Sequence, residues 1–233
     1  MMSAIKKVVT LLYNRSGQMD KEQFMLACNM LEKANCVVAV PTDTLYGIAA
    51  KVDDTGALER IYKIKGRDCK KPLAVCVSDV EGIEKVGQTD ALFNKRVLDI
   101  LLPGPITIIL KRSVDLNPNF NPGLDTVGIR IPDHNFIIAL TKVVGPLALT
   151  SANRSGSGNT IKVEDFQDLW DELDCVFDCG PVRKVADDYD HRNELGSTVV
   201  DLSQGRKNRI IRKGLGMNRA INVLDRLGFR MQK

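Results

Sequence analysis

The sequence predicts a layered α/β domain built on a largely buried, mixed sheet. Short continuous apolar runs rich in β-branched residues recur along the 233 residues, the pattern of strands buried on both faces. Segments with helical spacing separate many of them, which is the signature of layered α/β architecture. No repeat, low-complexity segment or linker divides the chain, so one domain is expected over residues 21–233, preceded by an N-terminal extension at 1–20.

Taken in order, Phe24, Cys28, Leu31 and Ala34 fall on one helical face behind a capping Asp20, so residues 21–34 read as an amphipathic helix. CVVAV (36–40) then reads as a buried strand and stops at Pro41. Further strands are expected at LAVCV (73–77), ITIIL (106–110), VGIRI (127–131), LALT (147–150), CVFD (175–178), STVVDL (197–202) and RIIR (209–212). Helical spacing marks residues 56–66, 91–102, 136–144, 163–173 and 220–229. The turn-like SQGRKN between 197–202 and 209–212 predicts an antiparallel hairpin, which makes the sheet mixed.

Apolar residues make up 44%, charged residues 27% and aromatics 5%, an ordinary globular composition. The net charge of +4 permits anionic ligands without requiring a nucleic-acid polymer. Six cysteines, at 28, 36, 69, 76, 175 and 179, sit mostly in apolar or helical runs without a disulfide framework, so a reducing compartment is expected. With three residues between Cys175 and Cys179 and two histidines in all, buried thiols are expected there and no protein-held metal. No apolar run reaches the roughly 20 residues of a membrane span. The expected location is cytoplasmic. Residues 1–19 hold Lys6, Lys7 and Arg15 without an acid, so a transit peptide and a mitochondrial pool form the second reading.

Chemistry is expected where the chain leaves the strands. PTDTLYG (41–47) follows the first strand with hydroxyls at Thr42, Thr44 and Tyr46; its plainer reading is a capped turn. Residues 63–71, KIKGRDCKK, hold five basic side chains and one acid; Lys63, Lys65 and Arg67 read either as a solvated helix end or as exposed cations that neutralise a polyphosphate. Arg130 interrupts an apolar strand, so it either pairs with a carboxylate or reaches into a site, and His134 follows just after it. Thr150, Ser151 and Asn153 lead from a strand into a glycine-rich loop. Ser197 begins one strand and Arg212 ends another. No GxxxxGK[ST], GxGxxG, HExxH or GxSxG is present. Convergence of these clusters would suit a small polar substrate together with a polyphosphate.

Read together, PTDTLYG, KIKGR followed by KPLAV, LLPGPITIIL, VGIRIPDH, LTSAN and GSTVVD resemble the ordered motifs of the YrdC family, the threonylcarbamoyl-AMP synthases. The resemblance runs from about Val37 to about Gly214; Asp68 and Lys71 stand where many relatives have Pro and Asn. It implies a single YrdC-like domain, a twisted mixed sheet with flanking helices around a positively charged cavity. The implied reaction joins L-threonine, bicarbonate or CO2, and ATP into threonylcarbamoyl-AMP and pyrophosphate. The implied partner is a threonylcarbamoyl transferase, the KEOPS complex, which modifies the adenosine next to the anticodon, so tRNA is involved indirectly. By similarity Thr42, Tyr46, His134, Ser151 and Ser197 contact threonine, and Lys63, Lys65 and Arg67 hold ATP phosphates, with Lys65 and Arg67 catalytic. Arg130, Asn153 and Arg212 match the nucleotide side, and Mg2+ is expected on the phosphates. The competing reading is an RNA- or nucleotide-binding regulatory module without turnover.

Overall fold

A computed structural model describes residues 7–13, 19–66, 71–89, 95–154, 158–182 and 196–231. Its elements run β1 (Lys7–Thr10), α1 (Lys21–Leu31), β2 (Val38–Val40), β3 (Gly47–Lys51), α2 (Thr55–Lys65), β4 (Ala74–Cys76), α3 (Val80–Val86), α4 (Lys95–Leu101), β5 (Ile106–Lys111), β6 (Thr126–Arg130), α5 (Asn135–Val144) and β7 (Leu147–Ser151). A 3₁₀ segment (Val163–Glu172), β8 (Cys175–Asp178), β9 (Thr198–Gln204), β10 (Lys207–Arg212), α6 (Met217–Arg226) and β11 (Arg230–Met231) complete it.

Local chemistry sets the helix ends. Asp20 and Asp54 accept from the Gln23 and Ala57 amides at 3.0 and 2.9 Å, meeting donors that the first turns of α1 and α2 leave unpaired. Gly66 ends α2 in the left-handed region at φ 54°, so the chain turns sharply after Lys65.

One sheet of 11 strands, ordered β1-β8-β2-β3-β7-β4-β6-β5-β9-β10-β11, carries the molecule. Five pairs are parallel (β1·β8, β2·β8, β4·β6, β5·β9, β10·β11) and five antiparallel, including the expected β9–β10 hairpin. The sheet begins inside the segment expected as an extension, because β1 pairs in register with β8 from Lys7↔Cys175 to Thr10↔Asp178. Gly47–Lys51, to which the sequence pattern assigns no element, is a central strand between β2 and β7. Residues 163–173, expected as an α-helix, form a 3₁₀ segment with a non-helical Phe166. Among the described residues no helix is long and apolar enough to cross a membrane.

The two faces of the sheet are covered unequally. One packs Ile48, Val75, Ile108, Ile129 and Val200 against α2, α3, α4, α6 and the 3₁₀ segment. The other packs Val38, Val40, Ala49, Leu147, Leu149 and Phe177 against, among the described helices, α1 and α5, and that cluster ends at Cys76. Beyond Cys76 the same face continues across β6, β5, β9 and β10. Alternation along the strands puts Ala74, Gly128, Arg130, Thr107, Ile109 and Val199 on it, since Cys76 pairs with Arg130, Ile109 with Gly128 and Thr107 with Val199. Ala74, Gly128, Ile109 and Val199 are only half-buried although they lie in interior strands. This half of the face is the floor of the candidate site.

Candidate active site

The loop between β2 and β3 borders this floor. Thr42 Oγ1 donates to the Leu45 carbonyl at 2.6 Å and accepts from the Thr44 and Leu45 amides at 3.2 and 3.3 Å, an ST-type turn made by a nearly inaccessible residue. Tyr46 is fully buried, its ring packed against Phe166 and its hydroxyl donating to the Gly180 carbonyl at 2.7 Å and accepting from the Cys179 amide at 2.9 Å. Burial pushes the phenol above its ordinary pKa, with Cys179 adding to the shift. The Tyr46 amide donates to the Thr160 carbonyl at 2.7 Å and its carbonyl accepts from the Ala152 amide at 2.8 Å, which ties the loop to the exit of β7. Tyr46 thus fixes the loop from behind, with its hydroxyl turned toward the end of β8.

Arg130 reaches from β6 to this loop. Its Nη2 donates to Asp43 Oδ1 and, at 2.9 Å, to Thr44 Oγ1, and the Arg130 and Asp43 side chains are each 9% exposed. Of the two alternatives open for a buried arginine, pairing with a carboxylate is the one observed. His134 caps α5 by accepting from the Phe136 amide at 3.3 Å through Nδ1. Burial pushes its pKa below the ordinary value, and Asp43 and Asp133 partly oppose that shift. Asp43 therefore pairs with Arg130 and acts on His134 through its charge alone.

At the exit of β7, Lys65 turns inward from the last residue of α2. Its ammonium donates to the Ser151 carbonyl at 2.5 Å, to the Asn153 carbonyl and, at 3.1 Å, to Asn153 Oδ1. Ser151 Oγ donates to the same Oδ1 at 2.5 Å. Lys65 is 3% exposed, which corrects the expectation of an exposed cation; the left-handed Gly66 allows α2 to end against the sheet, and carbonyls replace water around the charge. Lys63, on the outer side of the same turn, is exposed. Arg67 lies outside the described residues.

At the other border, Arg212 donates to the Ser197 carbonyl from Nε at 3.2 Å and from Nη2 at 2.8 Å, and to Ser197 Oγ at 3.1 Å. Ser197 Oγ lies 2.8 Å from Thr107 Oγ1. Two glycines permit this packing: a Cβ on Gly196 would stand 3.2 Å from Arg212 Nη2, and one on Gly214 only 2.3 Å from the Gly196 carbonyl.

The structure therefore brings candidates into three contacting groups around one floor: Thr42 joined to Arg130 through Thr44, Lys65 with Ser151 and Asn153, and Ser197 with Arg212, while His134 serves as the cap of α5. Residues expected on the threonine side and on the nucleotide side alternate within these groups. Asp43 and Thr44, in PTDTLYG, and Thr107, in LLPGPITIIL, carry no expected role of their own. Thr107 had a signal, being the one polar residue in ITIIL, as Arg130 is in VGIRI. Two concavities elsewhere, between Gln88 and Gln204 and between β1 and α1, are lined by none of the candidates.

Residues 29–214 match the Sua5_yciO_yrdC family model, described as "Telomere recombination". The chain belongs to the Sua5/YciO/YrdC family. It is 45% identical over 194 residues to the mouse (Mus musculus) threonylcarbamoyl-AMP synthase, covering 83% of this chain and 68% of that one. Among solved structures of the family, the H234A/Y235A variant of Pyrococcus abyssi Sua5 superposes with a TM-score of 0.74 at 27% identity, covering 88% of this chain and 60% of that one. P. abyssi Sua5 complexed with L-threonine gives 0.81 at 24% identity, covering 97% and 62%. This family member thus spans less than two thirds of the archaeal Sua5 chain. The mixed sheet with flanking helices is the family's fold, and the matched region holds all three contacting groups, Arg212 included.

Proposed function

We propose that the chain is an L-threonylcarbamoyladenylate synthase, which forms threonylcarbamoyl-AMP and pyrophosphate from L-threonine, bicarbonate or CO2, and ATP. The observation that carries this reading is the assembly of hydroxyls and cations around one floor in a chain 45% identical to a threonylcarbamoyl-AMP synthase.

Chemistry explains why such a site needs no nucleophilic side chain. The threonine amine captures CO2 as an N-carboxylate, and an oxygen of that carboxylate attacks the α-phosphorus as pyrophosphate departs. Two anions must approach each other in line, so positioning and charge neutralisation dominate the barrier. In this reading Thr42, His134, Ser151 and Ser197 face the amino acid, with Tyr46 fixing the loop that carries Thr42. Lys63 and Arg67 meet the phosphates, and Arg130, Asn153 and Arg212 border the nucleotide. Lys65 and Arg67 are the catalytic pair; the position of Lys65 supports a role in fixing the Ser151–Asn153 turn beside the phosphates. Mg2+ entering with ATP would be held mainly by phosphate oxygens, where it screens their charge.

The product would serve a threonylcarbamoyl transferase, the KEOPS complex, acting on tRNA, in the cytoplasm with a mitochondrial pool as the second location. Purified protein given ATP, Mg2+, bicarbonate and threonine should release pyrophosphate only when threonine and bicarbonate are both present. Folded protein that binds ATP without that dependence would instead be a regulatory binding module.

A further inference from the structure

Thr107, in β5, and Ser197, just before the parallel neighbour β9, form a buried hydroxyl pair, 6% and 3% exposed. Each hydroxyl carries one hydrogen. Arg212 Nη2 donates into Ser197 Oγ at 3.1 Å, and one hydroxyl hydrogen bridges the two oxygens at 2.8 Å. Among the described residues the second hydroxyl hydrogen has no acceptor. If Thr107 donates to Ser197, the serine oxygen has both lone pairs engaged and its own O–H points onward. If Ser197 donates to Thr107, the threonine O–H does so. In both cases the pair presents a single donor, beside the Arg212 guanidinium and on the face of the sheet that forms the floor. The floor is shallow-walled there because Gly128 has no side chain; a Cβ on it would stand 3.4 Å from Thr107 Cγ2. Arg130 occupies the same face of the next strand.

A buried donor beside two arginines fits an anionic oxygen. We infer that Thr107 is a further substrate-binding residue, acting with Ser197 as one hydroxyl donor to an anionic oxygen of the bound substrate. On the synthase reading, on which this rests, that oxygen belongs either to the amino acid, as carboxylate or carbamate, or to an ATP phosphate.

Thr107→Val keeps the β-branched shape and removes the hydroxyl, whereas Thr107→Ser keeps the hydroxyl. Pyrophosphate release is measured over ranges of threonine and of ATP, with thermal unfolding to verify that each variant is folded, and Thr107→Ala replaces the valine variant if that one is not. The valine variant should lose roughly 10- to 100-fold in kcat/KM, as expected for a buried hydrogen bond to a charged group, with the serine variant within about threefold of the wild type. A raised KM for threonine assigns the oxygen to the amino acid; a raised KM for ATP assigns it to a phosphate. Wild-type kinetics in the valine variant, or equal losses in the valine and serine variants, would overturn the inference. A wild-type protein without threonine- and bicarbonate-dependent turnover would sink the synthase reading instead. Calorimetric titration of ATP and of threonine separately into wild type and Thr107→Val still tests the donor in that case: weaker binding of either supports it, unchanged binding overturns it.

Discussion

Lys65 and Asn153 meet at two atoms: the lysine ammonium donates to the Asn153 backbone carbonyl and, at 3.1 Å, to its side-chain oxygen. The end of α2 is thereby cross-tied to the exit of β7, and the asparagine amide is turned so that its nitrogen reaches the Gly158 carbonyl at 3.0 Å. A cation in this position organises the turn that carries Ser151.

Lys65→Met should therefore lower stability and turnover together. Loss of the ammonium leaves the Ser151 and Asn153 carbonyls short of a donor, a cost of about 1–3 kcal/mol. Lys63→Met, one residue pair earlier and exposed, should stay within about 0.5 kcal/mol of the wild type. Urea unfolding of both variants beside their pyrophosphate-release rates makes the comparison; a stable but inactive Lys65→Met would return Lys65 to a purely phosphate-neutralising role.

Asp43→Ala should be more damaging to the fold than a surface carboxylate, because it strands the buried Arg130 guanidinium. Breaking a pair of this kind by removing one partner costs about 3–5 kcal/mol. The double variant Asp43→Leu with Arg130→Met should recover part of that stability while remaining inactive. Chemical denaturation reads the recovery, and its absence would mean that the loop depends on more than this pair.

Tyr46→Phe should cost about 1–2 kcal/mol, since the Cys179 amide and the Gly180 carbonyl both lose their partner at the hydroxyl. Thermal unfolding measures this. A melting temperature equal to the wild type, together with a large rise in the threonine KM, would show instead that the hydroxyl turns to the substrate.

Stability should fall as pH drops below about 6.5. The folded-state pKa of His134 lies below its ordinary 6.5, so the unfolded chain takes up the proton first. The contribution of the neutral ring is complete above that pH and is lost on acidification, when Nδ1 can no longer accept from the Phe136 amide. Asparagine is a favoured helix cap without a titrating ring. His134→Asn should show a smaller difference between unfolding at pH 7.5 and pH 5.5 than the wild type; an equal difference would place the pH sensitivity elsewhere.

The strands that bury both faces were legible because the apolar run itself is the signal: VGIRI, ITIIL and CVFD each became a strand within a residue or two of expectation. GIAAK was not legible, since its small residues carry little β propensity and its pairing partners lie at Val38–Val40 and, 100 residues on, at Leu147–Ser151. β1 and β11 are short edges defined only by remote partners. For the site, the residue types at strand ends were legible as polar clusters in an apolar sheet, but burial could not be read from them. KIKGR shows three cations with nothing to distinguish the one at Lys65 that faces inward. Tyr46 likewise sits in a hydroxyl-rich motif, yet its ring belongs to the core.

The small residues of the floor give the site a tunable depth. Ala74 and Gly128 lie on interior strands whose reverse sides, through Val75 and Ile129, belong to the main hydrophobic cluster, so the floor is backed by packed core and cannot sink. Growth on the open side has room: a Cβ on Gly128 would meet its neighbours at ordinary contact distances of 3.4 and 4.0 Å. Enlarging these two positions would raise the floor on its open side while leaving the core untouched. On the synthase reading, that separation offers a route to redesigning the size of the amino acid accepted, one methyl group at a time, in a scaffold whose stability is anchored on the opposite side of the sheet.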